Sequence, residues 1–163
     1  MKKKLFAFVA TVALAFSTMG TAKAGGVYEG VAPGSSVLGV KLGFWNLGGN
    51  VTYDYSLARV WKGSFTIGGQ VGYLWEGGSH SSIDIKIRTT YRFNVVVPEW
   101  EIYGGVGLGG HIGFDKGGVD GGFSGAFILG TTYNLTQNIG LNLEFDLGSW
   151  GQSWINLGVQ FSF

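Results

Sequence analysis

Polar and apolar side chains alternate along most of the chain with a period of two residues, as in a half-buried β-strand. The alternating units are about 10–14 residues long, and clusters of Gly, Asn, Asp and Ser separate them as turns do. The pattern predicts eight strands, near residues 36–46, 50–59, 64–75, 82–93, 100–113, 122–133, 138–148 and 153–163. Residues 25–35, which include Pro33, are predicted to form a short irregular lead-in.

The two faces of these strands differ in composition. One face carries large apolar and aromatic side chains, as at Leu38, Ile87 and Leu108. The other face is rich in glycine and holds nine charged residues: Lys41, Asp54, Asp84, Lys86, Arg88, Arg92, Glu101, Glu144 and Asp146. Some apolar residues fall on this polar face by parity, among them Leu74, Ile128 and Trp154.

The capacity of a barrel decides which face points inward. A closed eight-stranded barrel encloses about three layers of four side chains. A wider barrel of eight strands still has room for only one small ligand. The large side chains of the apolar face exceed that volume, whereas the glycine-rich face fits it. The apolar face is therefore predicted to point outward into lipid, where a sheet must close because unpaired edges cannot lie in hydrocarbon. The predicted fold is an all-β, eight-stranded, antiparallel, up-and-down transmembrane β-barrel.

Composition narrows the class further. Charged residues make up 13% of the chain, against about 25% in ordinary soluble domains, and Gly accounts for 31 of the 163 residues. That much glycine argues against a helical enzyme. The chain has no cysteine, so no disulfide supports the fold. Its scattered basic residues form no patch of the kind that nucleic acid requires.

The first 24 residues have the features of a secretion signal. A basic segment at Lys2–Lys4 precedes an apolar stretch, 5–16, and Ala22–Ala24 supplies the small residues of a cleavage site. The apolar stretch is too short for a helix that spans about 30 Å of hydrocarbon. We therefore expect residues 1–24 to be a cleaved signal peptide and residues 25–163 to form one barrel domain.

The inward charges predict an ion-paired interior. Four basic residues face five acidic ones on the polar face, and buried ions are tolerated only when they are paired. This near-balance favours a closed, salt-bridged lumen. A water-filled diffusion pore lined by the same charges is the alternative.

Aromatic residues group toward the predicted strand ends, as headgroup anchors do in transmembrane barrels. The group expected at the end that holds the termini is Tyr91, Phe93, Trp100, Tyr133 and Phe163. The group expected at the opposite, outer end is Phe44, Tyr53, Tyr73, Trp75, Phe114 and Phe123.

The last strand, Ile155–Phe163, alternates strictly and ends on Phe161, Ser162 and Phe163, which resembles the assembly signal of Gram-negative outer-membrane barrels. The chain as a whole is similar to small eight-stranded outer-membrane barrels of the OmpA and OmpX type. The resemblance implies export through the periplasm, insertion by the barrel-assembly machinery, and a monomer surrounded by outer-membrane lipid and lipopolysaccharide.

The outer connections depart from that group because they are short and glycine-rich, which argues against an adhesin or invasin. They are predicted at Asn46–Gly49, Glu76–Ser81, Asp115–Gly121 and Ser149–Gln152.

An enzymatic alternative rests on the two histidines. Lipid A deacylases are eight-stranded barrels with a His-x-Ser pair late in the chain, where this sequence reads Phe145-Asp146-Leu147. The His-x-Ser pattern at His80–Ser82 lies in an early connection, with Glu76 as the only carboxylate expected nearby. A catalytic base needs an orienting partner and a nucleophile within reach, so we do not expect catalysis.

His111 is expected to point inward near the outer end of the fifth predicted strand. Asp115, Asp120 and Ser124 could join it in a catalytic triad, but a hydrogen-bonded interior histidine is the simpler interpretation. The histidines lack metal-ligand spacing, and segment 115–120 lacks the carboxylates of a calcium loop. Glycine-rich segment 105–110 resembles a phosphate-binding loop, but such a loop opens a helix and this segment does not. The sequence therefore predicts no metal, no cofactor and a structural or envelope-related role, with a diffusion pore or a lipid A-modifying enzyme as alternatives.

Overall fold

The structure, a computed structural model, describes residues 31–44, 47–77, 80–95, 97–115, 117–148 and 155–163. Within these residues the chain forms eight strands: β1 (Ser36–Gly43), β2 (Leu47–Val60), β3 (Gly63–Gly77), β4 (His80–Asn94), β5 (Trp100–Asp115), β6 (Gly118–Asn134), β7 (Ile139–Leu147) and β8 (Ile155–Ser162). The predicted signal peptide and Trp154 lie outside the described residues. No helix in the described part is long and apolar enough to cross a membrane.

Each strand pairs antiparallel with the next in sequence, and β8 pairs with β1 to close the barrel. The predicted fold class is therefore confirmed. Both ends of the barrel chain meet at one rim, since the backbones of Ser36 and Phe163 exchange two hydrogen bonds of 2.6 and 2.9 Å. An even number of strands produces this arrangement.

The strands are strongly tilted. A path that moves from each residue to its register partner on the next strand starts at Ser36, the first residue of β1. It reaches β7 at Leu147, the last residue of that strand. The path therefore begins at the rim that holds the termini and ends at the opposite rim. Tilt of this kind is required to close a sheet of eight strands.

The wall is taller on one side than the sequence pattern predicts. Strands β2 to β6 have 14–17 residues, whereas β1, β7 and β8 have only 8 or 9. The described residues of the connections predicted at 46–49, 76–81 and 115–121 are mostly strand; Gly121, for example, pairs with Ile112. The predicted connection at 149–152 lies outside the described residues.

Burial follows the predicted alternation. Ile87 and Leu108 are 69% and 57% exposed on the outer face, whereas the inward-facing Leu74 and Ile128 are buried. Leu38 departs from the prediction, because it is on the outward parity but only 4% exposed. Its register partners on the two sides are Tyr53 and Phe161, and these aromatic neighbours flank it.

The aromatic residues of the two predicted groups lie toward the rims with one exception. By their positions in the strands, the first predicted group is at the rim of the termini, and the other group lies toward the opposite rim. The exception is Tyr53, which was expected at the outer end but lies in the middle of β2, opposite Gly69. Its hydroxyl shares a 2.8 Å hydrogen bond with the hydroxyl of Ser36, which is at the terminal rim. The alternation along the sequence shows which face a residue is on but not its depth in the membrane. The depth of Tyr53 follows only from the strand register.

Candidate functional site in the barrel interior and outer mouth

Glu144 is the centre of the interior charges. Its carboxylate accepts from Arg88 at 2.7 Å and from the Tyr103 hydroxyl at 2.7 Å, and Lys41 Nζ lies 2.5 Å away. These residues come from four strands, β1, β4, β5 and β7. One carboxylate thus joins distant parts of the wall across the lumen.

A second group continues this network toward the rim of the termini. Arg88 and Arg92 share the carboxylate of Asp54, at 3.2 and 3.1 Å, and Arg92 also donates to Glu101 at 2.7 Å. The guanidinium of Arg92 lies 4.3 Å from the ring centre of Tyr103, in cation–π contact. The planar, forked guanidinium suits such shared pairing better than an ammonium group would.

The remaining charges lie toward the opposite rim. Lys86 Nζ is 2.9 Å from Asp84, which also accepts from Ser124. Asp146 accepts hydrogen bonds from the side-chain amides of Gln70 and Asn156, at 3.2 and 3.3 Å. The structure therefore places all nine predicted charges inside the barrel, each no more than 4% exposed.

Tyr103 and several amide side chains belong to the interior network together with the charged residues. Tyr103 links Glu144 to the amide of Asn142, which donates to its hydroxyl at 2.8 Å, and Gln70 accepts from Arg88 at 3.0 Å. All three have the inward parity of the charged residues, which is the signal that marks them. Their partners depend on register across the lumen and could not be read from parity.

The ring of Tyr103 packs on Gly130, where an added Cβ would lie 2.2 Å from the ring carbon Cζ. Gly130→Ala is expected to displace Tyr103 and to lower the free energy of unfolding by about 1–3 kcal/mol, as overpacking does. Gly117→Ala is the control, because nothing lies within 4 Å of its added Cβ. Urea unfolding in lipid vesicles measures both variants, and equal stability of the two would contradict this packing.

The outer mouth, at the rim opposite the termini, contains a cavity of about 410 Å³. Residues of β4, β5 and β6 line it, among them His80, His111, Asp115 and Asp120. His80 Nε2 lies 3.0 Å from Asp115, so the expectation that Glu76 is its only nearby carboxylate is wrong. Antiparallel pairing of β4 with β5 brings the two residues together, although they are far apart in sequence.

The triad considered around His111 is not assembled. His111 is opposite Gly122 in the register, and the hydroxyl of Ser124 donates to Asp84 instead. Nδ1 of His111 is buried and has no hydrogen-bond partner among the described residues, so the expected interior hydrogen bond is missing at that nitrogen. The described residues also contain no group of three or more potential metal ligands.

The predicted assembly signal is on the last strand. Phe161 is partly exposed on the outer face, between Leu38 and Ile139 of the adjacent strands. Phe163 closes the chain at the rim of the termini through its backbone hydrogen bonds to Ser36.

Comparison with known proteins rests on structure alone, since no family model and no curated protein sequence matches the chain. Among solved structures, a de novo designed transmembrane β-barrel matches with a TM-score of 0.58 and 15% identity, over 81% of this chain and 98% of that one. The fold is that of a small transmembrane β-barrel. The outer-membrane protein Ail of Yersinia pestis, in a phospholipid nanodisc, matches this transmembrane barrel with a TM-score of 0.50 and 15% identity, over 79% and 97% of the two chains.

Proposed function

We propose that this protein is an integral outer-membrane barrel with a structural or envelope-related role and a closed lumen, and that it is not an enzyme. One observation carries the proposal: the charges are inside, all but Asp146 in ion pairs, while the apolar side chains are exposed around the outside. Water does not tolerate a continuous apolar exterior of this kind, and hydrocarbon does. The resemblance to Ail supports the outer membrane as the location.

The network that crosses the barrel supports a closed lumen. Arg88 donates to Glu144 and Gln70, and Arg92 donates to Glu101 and Gln160, so the side chains meet partners on other strands. A side chain that reaches across the lumen to a partner on another strand occupies the lumen at that depth. Buried ions need counter-charges close by, and the ion pairs of Arg88 and Arg92 supply them without water.

The route to the membrane is the part of the proposal taken from the sequence. Residues 1–24 direct export to the periplasm, and Phe161 and Phe163 present the chain to the barrel-assembly machinery. The folded monomer is then surrounded by outer-membrane lipid and lipopolysaccharide.

Planar-bilayer recording tests the closed lumen against the pore alternative. The purified barrel, shown to be folded by a heat-dependent shift on a detergent gel, is expected to give no stable channel. Arg88→Ala with Glu144→Ala, which removes the central bridge, is expected to give more conductance than the unchanged protein. Stable channels from the unchanged protein would favour a diffusion pore and contradict the closed lumen.

A further inference from the structure

The turn between β2 and β3 presents the most exposed large apolar side chain in the described part of the chain. This turn consists of Trp61 and Lys62, between the paired residues Val60 and Gly63 at the rim of the termini. The indole of Trp61 is 83% exposed, and Val60 beside it is 53% exposed. An indole has a large apolar body and a single N–H donor, so it is most stable where an apolar phase meets water.

The backbone of the turn does not account for a tryptophan at this position. Trp61 has a φ of 56° and is the only residue other than glycine with a positive φ among the described residues. Two-residue hairpin turns favour glycine or asparagine where φ is positive, because a bulky side chain crowds the backbone there. A contact outside the hairpin is therefore the better reason for the indole.

The outer wall of the barrel holds the turn in place. The hydroxyl of Tyr91 donates to the carbonyl of Val60 at 2.8 Å. The ring of Tyr91 lies across Gly63, where an added Cβ would be 2.6 Å from Cζ. Val60 shares the outward parity of Phe93, because both residues pair with Gly63. The apolar wall that faces lipid thus continues without a break into the turn.

A basic group lies beside the indole. Nζ of Lys62 is 5.6 Å from the centre of the Trp61 ring, within the range of a cation–π contact. Lys62 is exposed and makes no ion pair or hydrogen bond with any described residue. The three N–H donors of its ammonium group are therefore free to meet an anion next to the apolar ring.

From these observations we infer that the β2–β3 turn binds the head group of a phospholipid and prefers an anionic one. The ammonium group of Lys62 meets the phosphate, and the indole of Trp61 lies at the head-group level, where tryptophan is enriched in membrane proteins. A free phosphate ion would leave the indole in water, whereas a lipid covers both groups. The inference rests on the lipid-facing wall of the proposed function, which the turn extends.

Quenching of tryptophan fluorescence tests this site. The barrel is placed in phosphatidylcholine vesicles with a small fraction of lipid whose acyl chains carry bromine near the head group, since bromine quenches only nearby indoles. The chain has six tryptophans, so the emission of Trp61 is taken as the difference between each protein and the same protein with Trp61→Phe. Brominated phosphatidylglycerol is expected to quench Trp61 at least twofold more than brominated phosphatidylcholine at the same mole fraction.

Two lysine variants show whether Lys62 sets this preference. Lys62→Gln is expected to abolish the preference and to leave the quenching by brominated phosphatidylcholine in place. Lys116→Gln is the matched control, because residue 116 lies between β5 and β6 at the opposite rim, and it is expected to keep the preference. Each variant is first shown to be folded by its heat-dependent gel shift.

The inference is overturned if both brominated lipids quench Trp61 equally in the unchanged protein, if Lys62→Gln keeps the preference, or if Lys116→Gln loses it. Quenching of Trp61 by neither lipid would also overturn it and would leave the turn to a protein partner. The tryptophans that remain in the Trp61→Phe protein report on the wall itself. If brominated lipid quenches them but not Trp61, the inference alone fails, and if it quenches none, the lipid-facing wall of the proposed function fails as well.

Discussion

Replacing Glu144 with glutamine is expected to lower the free energy of unfolding by about 3–5 kcal/mol, the cost of removing one partner from a buried ion pair. The loss is large because Lys41 and Arg88 both lie against this carboxylate inside the barrel. Without it, two buried cations lose their closest counter-ion, although Arg88 keeps Asp54. Urea-dependent unfolding in lipid vesicles, followed by the fluorescence of the six tryptophans, measures the change.

Two further variants make this result specific to the pairing. Glu99→Gln removes an exposed carboxylate and is expected to change the stability by no more than about 0.5 kcal/mol. Lys41→Met combined with Glu144→Gln removes one of the cations left without a partner, and is expected to be more stable than Glu144→Gln alone. A loss below about 1 kcal/mol in the single variant would mean that the interior ions are not desolvated.

Replacing Ile87 with arginine is expected to lower the free energy of unfolding by about 2–4 kcal/mol, the cost of a cation at the middle of the bilayer on a lipid-facing site. Ile87 is 69% exposed and lies in the middle of β4, opposite Gly69 and Leu108 on the neighbouring strands. The same unfolding experiment in vesicles measures the loss.

Val119→Arg is the matched control for depth. Val119 is 70% exposed, nearly the same as Ile87, but it lies at the outer tip of β6. Near the membrane surface the expected cost of arginine is only about 0–1 kcal/mol. If water surrounded the barrel, the two exposed positions would respond alike, so equal effects would contradict a lipid-facing wall.

The fold could be predicted from the sequence because a transmembrane barrel repeats one simple constraint along every strand. Lipid outside and a narrow lumen inside force the alternation, so residues such as Arg88 and Ile87 report their face by parity. The ends of the strands were less predictable, since glycines at Gly118 and Gly121 can continue a strand as readily as they can turn it. Leu38 shows a further limit, because its burial depends on the aromatic residues beside it on other strands.

The site was predictable only as a set of residues. Parity puts Lys41, Arg88 and Glu144 inside the barrel, but which cation meets which carboxylate depends on the register of strands distant in sequence. The same limit applies at the outer mouth, where His80 meets Asp115 through the pairing of β4 with β5. The positions of Gly122 beside His111 and of Gly113 beside Asp120 also depend on the register.

The most direct test of the lipid-facing wall is the environment of a spin label on it. The chain has no cysteine, so a nitroxide can be placed singly at position 87 or at position 119 of the barrel in lipid vesicles. If the wall faces lipid, the label at 87 collides with dissolved oxygen and is shielded from a water-soluble nickel chelate, whereas the label at 119 is open to the chelate. A label at 87 that meets the nickel chelate as freely as the label at 119 would contradict a lipid-facing wall.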